Sequence, residues 1–488
     1  MDIKSLSSYI DFGNENLSFG IVTVCAVCTL ILMANIMRRK IPAFRRSLMP
    51  TAVIAGLLGL VIKEVVIAFT GVNIFSLSAL GGLIYHLLPV AFIALCLRDR
   101  DDYTAEFDIS KVSTERVTAV KSGTVIISTY LLQGMVGILV TAFFAVTFMP
   151  QLNPATGIML ALGFGQGPQQ ANATGIIWDA AGHMDAWGPG SARNFGLTIA
   201  GLGFIWASIP GIILANIIAK KKGIKTGKNE ERRYSEVSNH KIEGPDEIPL
   251  SDSIDKFSLQ VCMVCGVYLL TIGLILVIEI CFRASGVPFL VELVPTVWGF
   301  AFMIAALVAL CVRLVLRRLV KVGIMHRKYP NSFMMNRISG AAFDLAIVAA
   351  LCAISVGSLG HLWIPVLVMT TMGGLACMIY LRCLCNHVYK DYKDEAFLAM
   401  YGMLTGTIVN GMILLREVDN DFKTPAGDDL VLGSSAAIAF GIPLLLLIAQ
   451  APKPGNLWWV TLVIVLYFAA LTCFQLKGLI FKKKKRGV

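Results

Sequence analysis

Apolar runs of about twenty residues with almost no charge recur along this chain from Phe19 to Phe481, and nothing else narrows the choice of fold as far. A helix needs about 20 such residues to cross the hydrocarbon of a bilayer, where every backbone N–H and C=O must find its partner inside the protein. Spans are placed at roughly 19–37, 47–69, 75–97, 123–149, 194–219, 257–282, 291–312, 338–358, 362–385, 427–449 and 457–481. With 56% hydrophobic and 15% charged residues, against about 25% charged in soluble domains, the chain reads as an all-α polytopic membrane protein lodged in a lipid bilayer. Two further apolar stretches, about 155–177 and 396–415, are rich in Gly, Thr, Asn and Gln.

The net charge of +11 does not point to nucleic acid, because the basic residues lie in the connections between apolar runs. If Arg38, Arg39, Lys40, Arg45 and Arg46 are cytoplasmic, the N-terminus is outside and the C-terminus inside. The later loops agree on one condition: 155–177 must be re-entrant from outside and 396–415 re-entrant from the cytoplasm. Then 37 of the 42 Lys and Arg lie on the cytoplasmic side, four lie outside (Lys4, Arg193, Arg283, Lys453), and Lys63 lies within a span near its outer end. The pairs Cys25/Cys28 and Cys262/Cys265 have metal-like spacing but sit inside apolar runs with no second pair, so they read as packing or lipid-facing residues. The segment before the first run carries Asp2, Lys4, Asp11 and Glu15, so a cleaved signal peptide is not expected and the first helix stays.

Four regions follow: a first transmembrane repeat over 1–219, a flexible cytoplasmic linker over 220–256, a second repeat over 257–450, and an extra helix with a basic tail over 451–488. The repeat is carried by Gly163-x-x-x-Gly167-Pro168 against Gly402-x-x-x-Gly406-Thr407, offset by 239, and by Ala207-Ser-Ile-Pro210 against Phe440-Gly-Ile-Pro443, offset by 233. In the assigned topology the two units are inverted. Inverted repeats with Gly- and Pro-broken segments at matching positions mark secondary transporters, whose sites lie near the midplane where the breaks meet. Taken alone, each Gly-x-x-x-Gly is equally a helix-packing face.

The stretches Gly163-Phe-Gly-Gln-Gly-Pro-Gln-Gln-Ala-Asn-Ala-Thr-Gly175-Ile-Ile-Trp178 and Gly402-Met-Leu-Thr-Gly-Thr407, with Leu414-Leu-Arg-Glu417, Thr424-Pro-Ala426 and Asp429-Leu-Val-Leu-Gly433, resemble the bacterial sodium/glutamate symporter family. The resemblance implies an elevator-type homodimer in the bacterial inner membrane, with about five spans and one re-entrant hairpin per repeat, and Na⁺-driven uptake of an acidic amino acid such as L-glutamate. The family's second hairpin reads Gly-Thr-Ala-Ser-Thr-Gly, whereas here Val409 replaces the Ser and Asn410 the following Thr, within Gly406-Thr407-Ile408-Val409-Asn410-Gly411. Lost hydroxyls alter ion coordination or substrate fit, so coupling to H⁺ or transport of another organic anion stays open. The span 457–481 is additional to the family's plan.

Na⁺ takes oxygen ligands, which Thr405, Thr407, Asn410 and a carboxylate such as Asp344 can offer. A substrate carboxylate suits amide donors, which Gln166, Gln169, Gln170 and Asn172 offer beside the backbone of Gly163, Gly165, Gly167 and Gly406. Arg416 either attracts that carboxylate or pairs with Glu417 or Asp419. Asp344 either serves Na⁺ or ties two helices together. Lys63 and Glu64 are expected to snorkel or pair, His86 to pack, and the group Trp178, Asp179, His183, Asp185 and Trp187 to form an interfacial loop. A channel would show symmetrical pore rings and an enzyme a cluster of catalytic groups. The six histidines, at 86, 183, 240, 326, 361 and 387, are scattered, so no enzymatic activity is expected.

Overall fold

Chain of this apolarity folds as helix because a helix satisfies its own backbone in lipid. The computed structural model describes residues 15–41, 50–98, 109–188, 190–223, 250–299, 301–325, 330–419 and 424–483, and among these there is no strand. The helices are α1 (Glu15–Lys40), α2 (Thr51–Thr70), α3 (Leu77–Leu97), α4 (Ile109–Thr147), α5 (Pro168–Ala180), α6 (Ser191–Lys221), α7 (Leu250–Ala284), α8 (Pro288–Gly299), α9 (Ala301–Lys321), α10 (Ser332–Cys352), α11 (Trp363–Val388), α12 (Lys393–Thr405), α13 (Ile408–Arg416), α14 (Ala426–Gln450) and α15 (Leu457–Lys483). Among the described residues, nine of them (α1 to α4, α6, α7, α10, α11 and α15) are long and apolar enough to cross a membrane.

Most spans expected from the sequence are found within a few residues of their ends; α4 begins earlier, at Ile109, and two runs differ in kind. The run 291–312 is divided between α8 and α9, with Pro295 inside α8 removing a backbone donor and Gly299 closing that helix. The run 338–358 begins and ends six residues too late, because α10 stops at Cys352 and the following backbone is held by side chains instead. Asp344 therefore lies deep within α10 rather than one turn from its end. In 220–256, α6 continues to Lys221 and α7 starts already at Leu250, while 224–249 lie outside the described residues, as do Arg45, Arg46 and 484–488.

The chain divides into two compact units, each drawing on both halves of the sequence. The first comprises Met1–Cys28, Phe75–Phe107 and Gly227–Ala349. Within it Tyr85 Oη donates to Trp298 O at 3.0 Å, and Trp298 Nε1 donates at 2.8 Å to Glu279, which Arg283 also holds at 2.8 Å. Phe92 packs against Phe302 and Phe343, and His86 Nδ1 lies 2.7 Å from Tyr268 Oη, so this histidine is partnered although its side chain is exposed.

The second unit comprises Thr29–Ile74, Asp108–Thr226 and Ala350–Val488. After α4 the chain turns back along it through a 3-10 turn, Pro154–Ile158, and a π-helical stretch, Ala161–Gln166. Backbones touch there: a Cβ on Gly137 would lie 1.9 Å from the Gly157 oxygen. Farther on, Gly165 lies against Tyr130, so the return is antiparallel to α4 and stops near its middle. Next α5 reverses again, with Ala171 against Gly196 and Gly175 against Arg193, antiparallel to α6. Residues 154–180 are thus a hairpin that enters and leaves at the same end of the unit.

The segment α12–α13 does the same from the other end. Lys222 at the foot of α6 pairs with Glu395 at 2.5 Å, Gly203 midway along α6 faces the Thr405 carbonyl, and Leu414 on α13 returns to Gly211. Gly402 and Gly411 lie face to face across this hairpin, each where a Cβ would strike backbone. Pro210 and Pro443, the prolines of the downstream sequence match, both lie inside their helices, α6 and α14.

Close approach rather than turn geometry fixes the glycines on α4 and its return strand. Gly137→Val should lower unfolding stability by at least about 1–3 kcal/mol, because the clash is with backbone that cannot rotate away. Gly266→Val on α7, where nothing lies within 4 Å, should stay within about 0.5 kcal/mol. Thermal unfolding of both variants in the same detergent checks this.

Candidate functional site

Both hairpins break at the second glycine of their Gly-x-x-x-Gly motif. Gly167 takes φ +91°, in the region that favours glycine, and Pro168, which needs no amide partner, opens α5. Gly406, at φ −139° and ψ −102°, and the extended Thr407 separate α12 from α13. The two breaks meet: a Cβ on Gly167 would lie 3.9 Å from Thr407 Cγ2 and 4.0 Å from the Gly406 oxygen. On α6 the midpoint completes the junction, Gly203 receiving the Thr405 carbonyl and Ala207 packing on Gly406.

This junction collects four helix ends. The first turns of α5 and α13 point amides at it without intrahelical partners, an arrangement suited to an anion. The last turns of the π-helical stretch and of α12 bring carbonyls, suited to a cation. Side-chain chemistry matches. Gln169, Gln170, Asn172 and Asn410 are buried, and Gln166 and Thr407 are half-buried. Thr407 Oγ1 donates to Asn410 Oδ1 at 3.0 Å, while Thr405 is buried and its hydroxyl donates back to Tyr401 O at 2.7 Å. Gly163 and Gly165 do not reach the tip as ligands. They let the hairpin pack on Ile199 and on Tyr130.

Arg416 is exposed at the far end of α13 from Gly406, so the helical rise separates it from the tip. Asp344 is half-buried on α10, within the first unit.

Residues on α4 and α6 that the sequence did not single out hold both tips. Tyr130 Oη donates to Gly165 O at 3.0 Å, and Gln133 Nε2 donates to Leu404 O at 2.7 Å and to Cys377 Sγ at 3.0 Å. One turn of α4 thus grips the last carbonyls of each broken segment. A lone Gln in an apolar run is the signal that could have exposed it. Six buried polar atoms lack a protein partner on these segments: Gln133 Oε1, Gln170 Oε1, Asn172 Nδ2, Thr174 Oγ1, Ser208 Oγ and Tyr401 Oη. Buried polar groups are nearly always paired, so such a concentration suits a polar solute, ion or water.

Each flank is built differently. Toward the end where α6 begins, Asp179 accepts from the amides of Ala192 and Arg193 at 2.8 and 3.1 Å, capping α6, and Arg193 Nε donates to Asn172 Oδ1 at 2.7 Å. Trp178 is 1% exposed, so it is core and not the interfacial anchor expected from its neighbours. Packing of α5 on α6 buries it. At the opposite end Asp429 is fully buried and accepts from Ser122 Oγ at 3.0 Å and Tyr392 Oη at 2.6 Å, and Tyr389 Oη donates to Ser122 at 2.9 Å. Burial first, and Asp429 next, hold both phenols above their ordinary pKa, so they stay protonated donors. Among the described residues no three His, Cys, Asp or Glu side chains gather to hold a metal.

Compared with known proteins, the chain matches no family model, no curated protein and no solved structure.

Gln133→Leu leaves the Leu404 carbonyl buried without its donor, and should cost roughly 1–3 kcal/mol of stability. Tyr130→Phe should do the same through Gly165. Unfolding midpoints in detergent check both, with Gln475→Leu, on the outer helix α15, as the smaller comparison.

Proposed function

We propose that this chain is a secondary active transporter of the bacterial cytoplasmic membrane, an elevator-type homodimer that symports Na⁺ with glutamate or a similar acidic amino acid or carboxylate. The observation that carries the reading is the junction of Gly167 and Gly406, where two broken segments arrive from opposite ends of one helical unit and bring helix N-termini and C-termini together. Irregular backbone at mid-helix depth is tolerated where it lines a polar cavity, and paired discontinuous segments are how transporters supply one. The inverted order of the sequence repeats and the likeness of both tips to the sodium/glutamate symporters support the same class.

Within that reading the first-turn amides of α5, with Gln166, Gln169, Gln170 and Asn172, receive a substrate carboxylate. The carbonyls ending α12, with Thr407 and Asn410, receive Na⁺. Here Thr405 contributes its carbonyl rather than its hydroxyl, which is engaged with Tyr401. The basic residues at the ends of α1 and α6 lie inside, the N-terminus outside and the C-terminus inside. Arg193, held on Asn172, is better placed than Arg416 to draw an anion toward the first hairpin.

The test is uptake of radiolabelled L-glutamate and a panel of dicarboxylates by the purified protein in liposomes. An inward Na⁺ gradient should drive accumulation that an imposed H⁺ gradient does not. Accumulation driven by H⁺ alone would reassign the ion, and none under either gradient would reject transport of this class. Gln166→Leu should weaken substrate binding at saturating Na⁺, and Asn410→Leu should weaken Na⁺ activation, each by roughly 1–3 kcal/mol. Single cysteines at Gln166 and Thr407 should be labelled by impermeant thiol reagents and protected by substrate. One at the buried Thr405 should not.

A further inference from the structure

A second break in the helical backbone lies far in sequence from the hairpins, and its backbone has been given partners with unusual completeness. When α10 ends at Cys352, residues 353–356 run on without helix before the 3-10 turn Gly357–Leu362. Ile354 N still donates to Leu351 O at 3.3 Å. Asn194 on α6 then clamps Ser355 from both sides, its Nδ2 donating to Ser355 O at 2.6 Å and its Oδ1 accepting from Ser355 N at 2.8 Å. Glu64 on α2 accepts from Val356 N at 3.3 Å.

Two further carbonyls, Cys352 O and Ile354 O, converge on the ammonium of Lys63. Lys63 Nζ lies 3.1 Å from Cys352 O, donates also to Ile354 O, and stands 3.3 Å from Glu64 Oε1. Three N–H donors thus meet three acceptors, with one carboxylate to balance the charge. Of the two expectations for Lys63, pairing holds and snorkelling does not: it is 1% exposed and lies against Glu64. Gly56 and Gly59, about two turns and one turn earlier, let α2 approach Leu351 and Cys352 closely enough for the reach.

Two backbone carbonyls, a carboxylate and a helix C-terminus converging on one point are the ligands of a monovalent cation site. We propose that this is such a site and that the chain fills it with its own cation: the Lys63 ammonium is a resident substitute for a free ion, and it positions the connection between α10 and α11. Removing the side chain while leaving space opens the site to small ammonium ions from solution. The inference does not rest on the transport reading, since its readout is stability and it holds for a protein that transports nothing.

The test uses the full-length protein in mild detergent, with unfolding midpoints measured in methylammonium chloride and, at equal ionic strength, tetramethylammonium chloride, which has no N–H to donate. Wild type should show no difference between the salts. Lys63→Ala should unfold several degrees lower, and methylammonium should restore part of the loss in a saturable way that tetramethylammonium does not reproduce. Lys63→Met, which fills the space without a charge, should be destabilised and respond to neither salt. A Lys63→Met protein as stable as wild type, or a Lys63→Ala protein equally affected by both salts, overturns the proposal. If neither variant folds, amide exchange on the wild type decides: amides at Ser355 and Val356 as protected as those of α10 support the clamp, and exchange as fast as in an exposed loop overturns it.

Discussion

Backbone that leaves the helix below the surface of the bilayer must be given partners, and this constraint organises the second unit. Each break found there sits beside side chains or helix ends able to receive its free groups. Tyr130 and Gln133 serve the tips of the hairpins, Asn194, Glu64 and Lys63 serve 353–356, and Asp179 serves the start of α6. Small residues follow from the same requirement. Donors of one side-chain length reach carbonyls on a neighbouring element only if the backbones nearly touch, as Gly137 and Gly157 do on the return of the first hairpin and Gly402 and Gly411 do within the second.

Much of this was legible in the sequence because its physics is local. Apolar length set most spans, and the distribution of Lys and Arg singled out the two stretches that fold back on themselves, each carrying a Gly-x-x-x-Gly. Other features were not legible because they depend on partners remote in the chain. Lys63 was expected to snorkel or to pair with Glu64, and the pair is found, but its carbonyl acceptors fell in a run assigned as closed helix, where no carbonyl is free. Trp178 read as interfacial because Asp179 and His183 beside it are polar, yet Asp179 faces the amides of α6 and Trp178 turns inward. Arg416 was chosen for its charge. Charge alone does not say how far along its helix a group stands from the tip.

The two kinds of break differ in one respect that bears on function. At 353–356 side chains of Asn194, Glu64 and Lys63 take up backbone groups of the break, down to a lysine that takes the place of a cation. At the hairpin tips the backbone is steadied by Tyr130 and Gln133, but Gln133 Oε1, Ser208 Oγ, Asn172 Nδ2 and Tyr401 Oη are left without protein partners. Leaving a buried polar group unpaired costs about 1–3 kcal/mol each, and no requirement of folding asks for several at one junction. Side chains could have taken up these groups as they took up backbone groups at 353–356. That they do not is the strongest physical reason for proposing binding at the junction of Gly167 and Gly406.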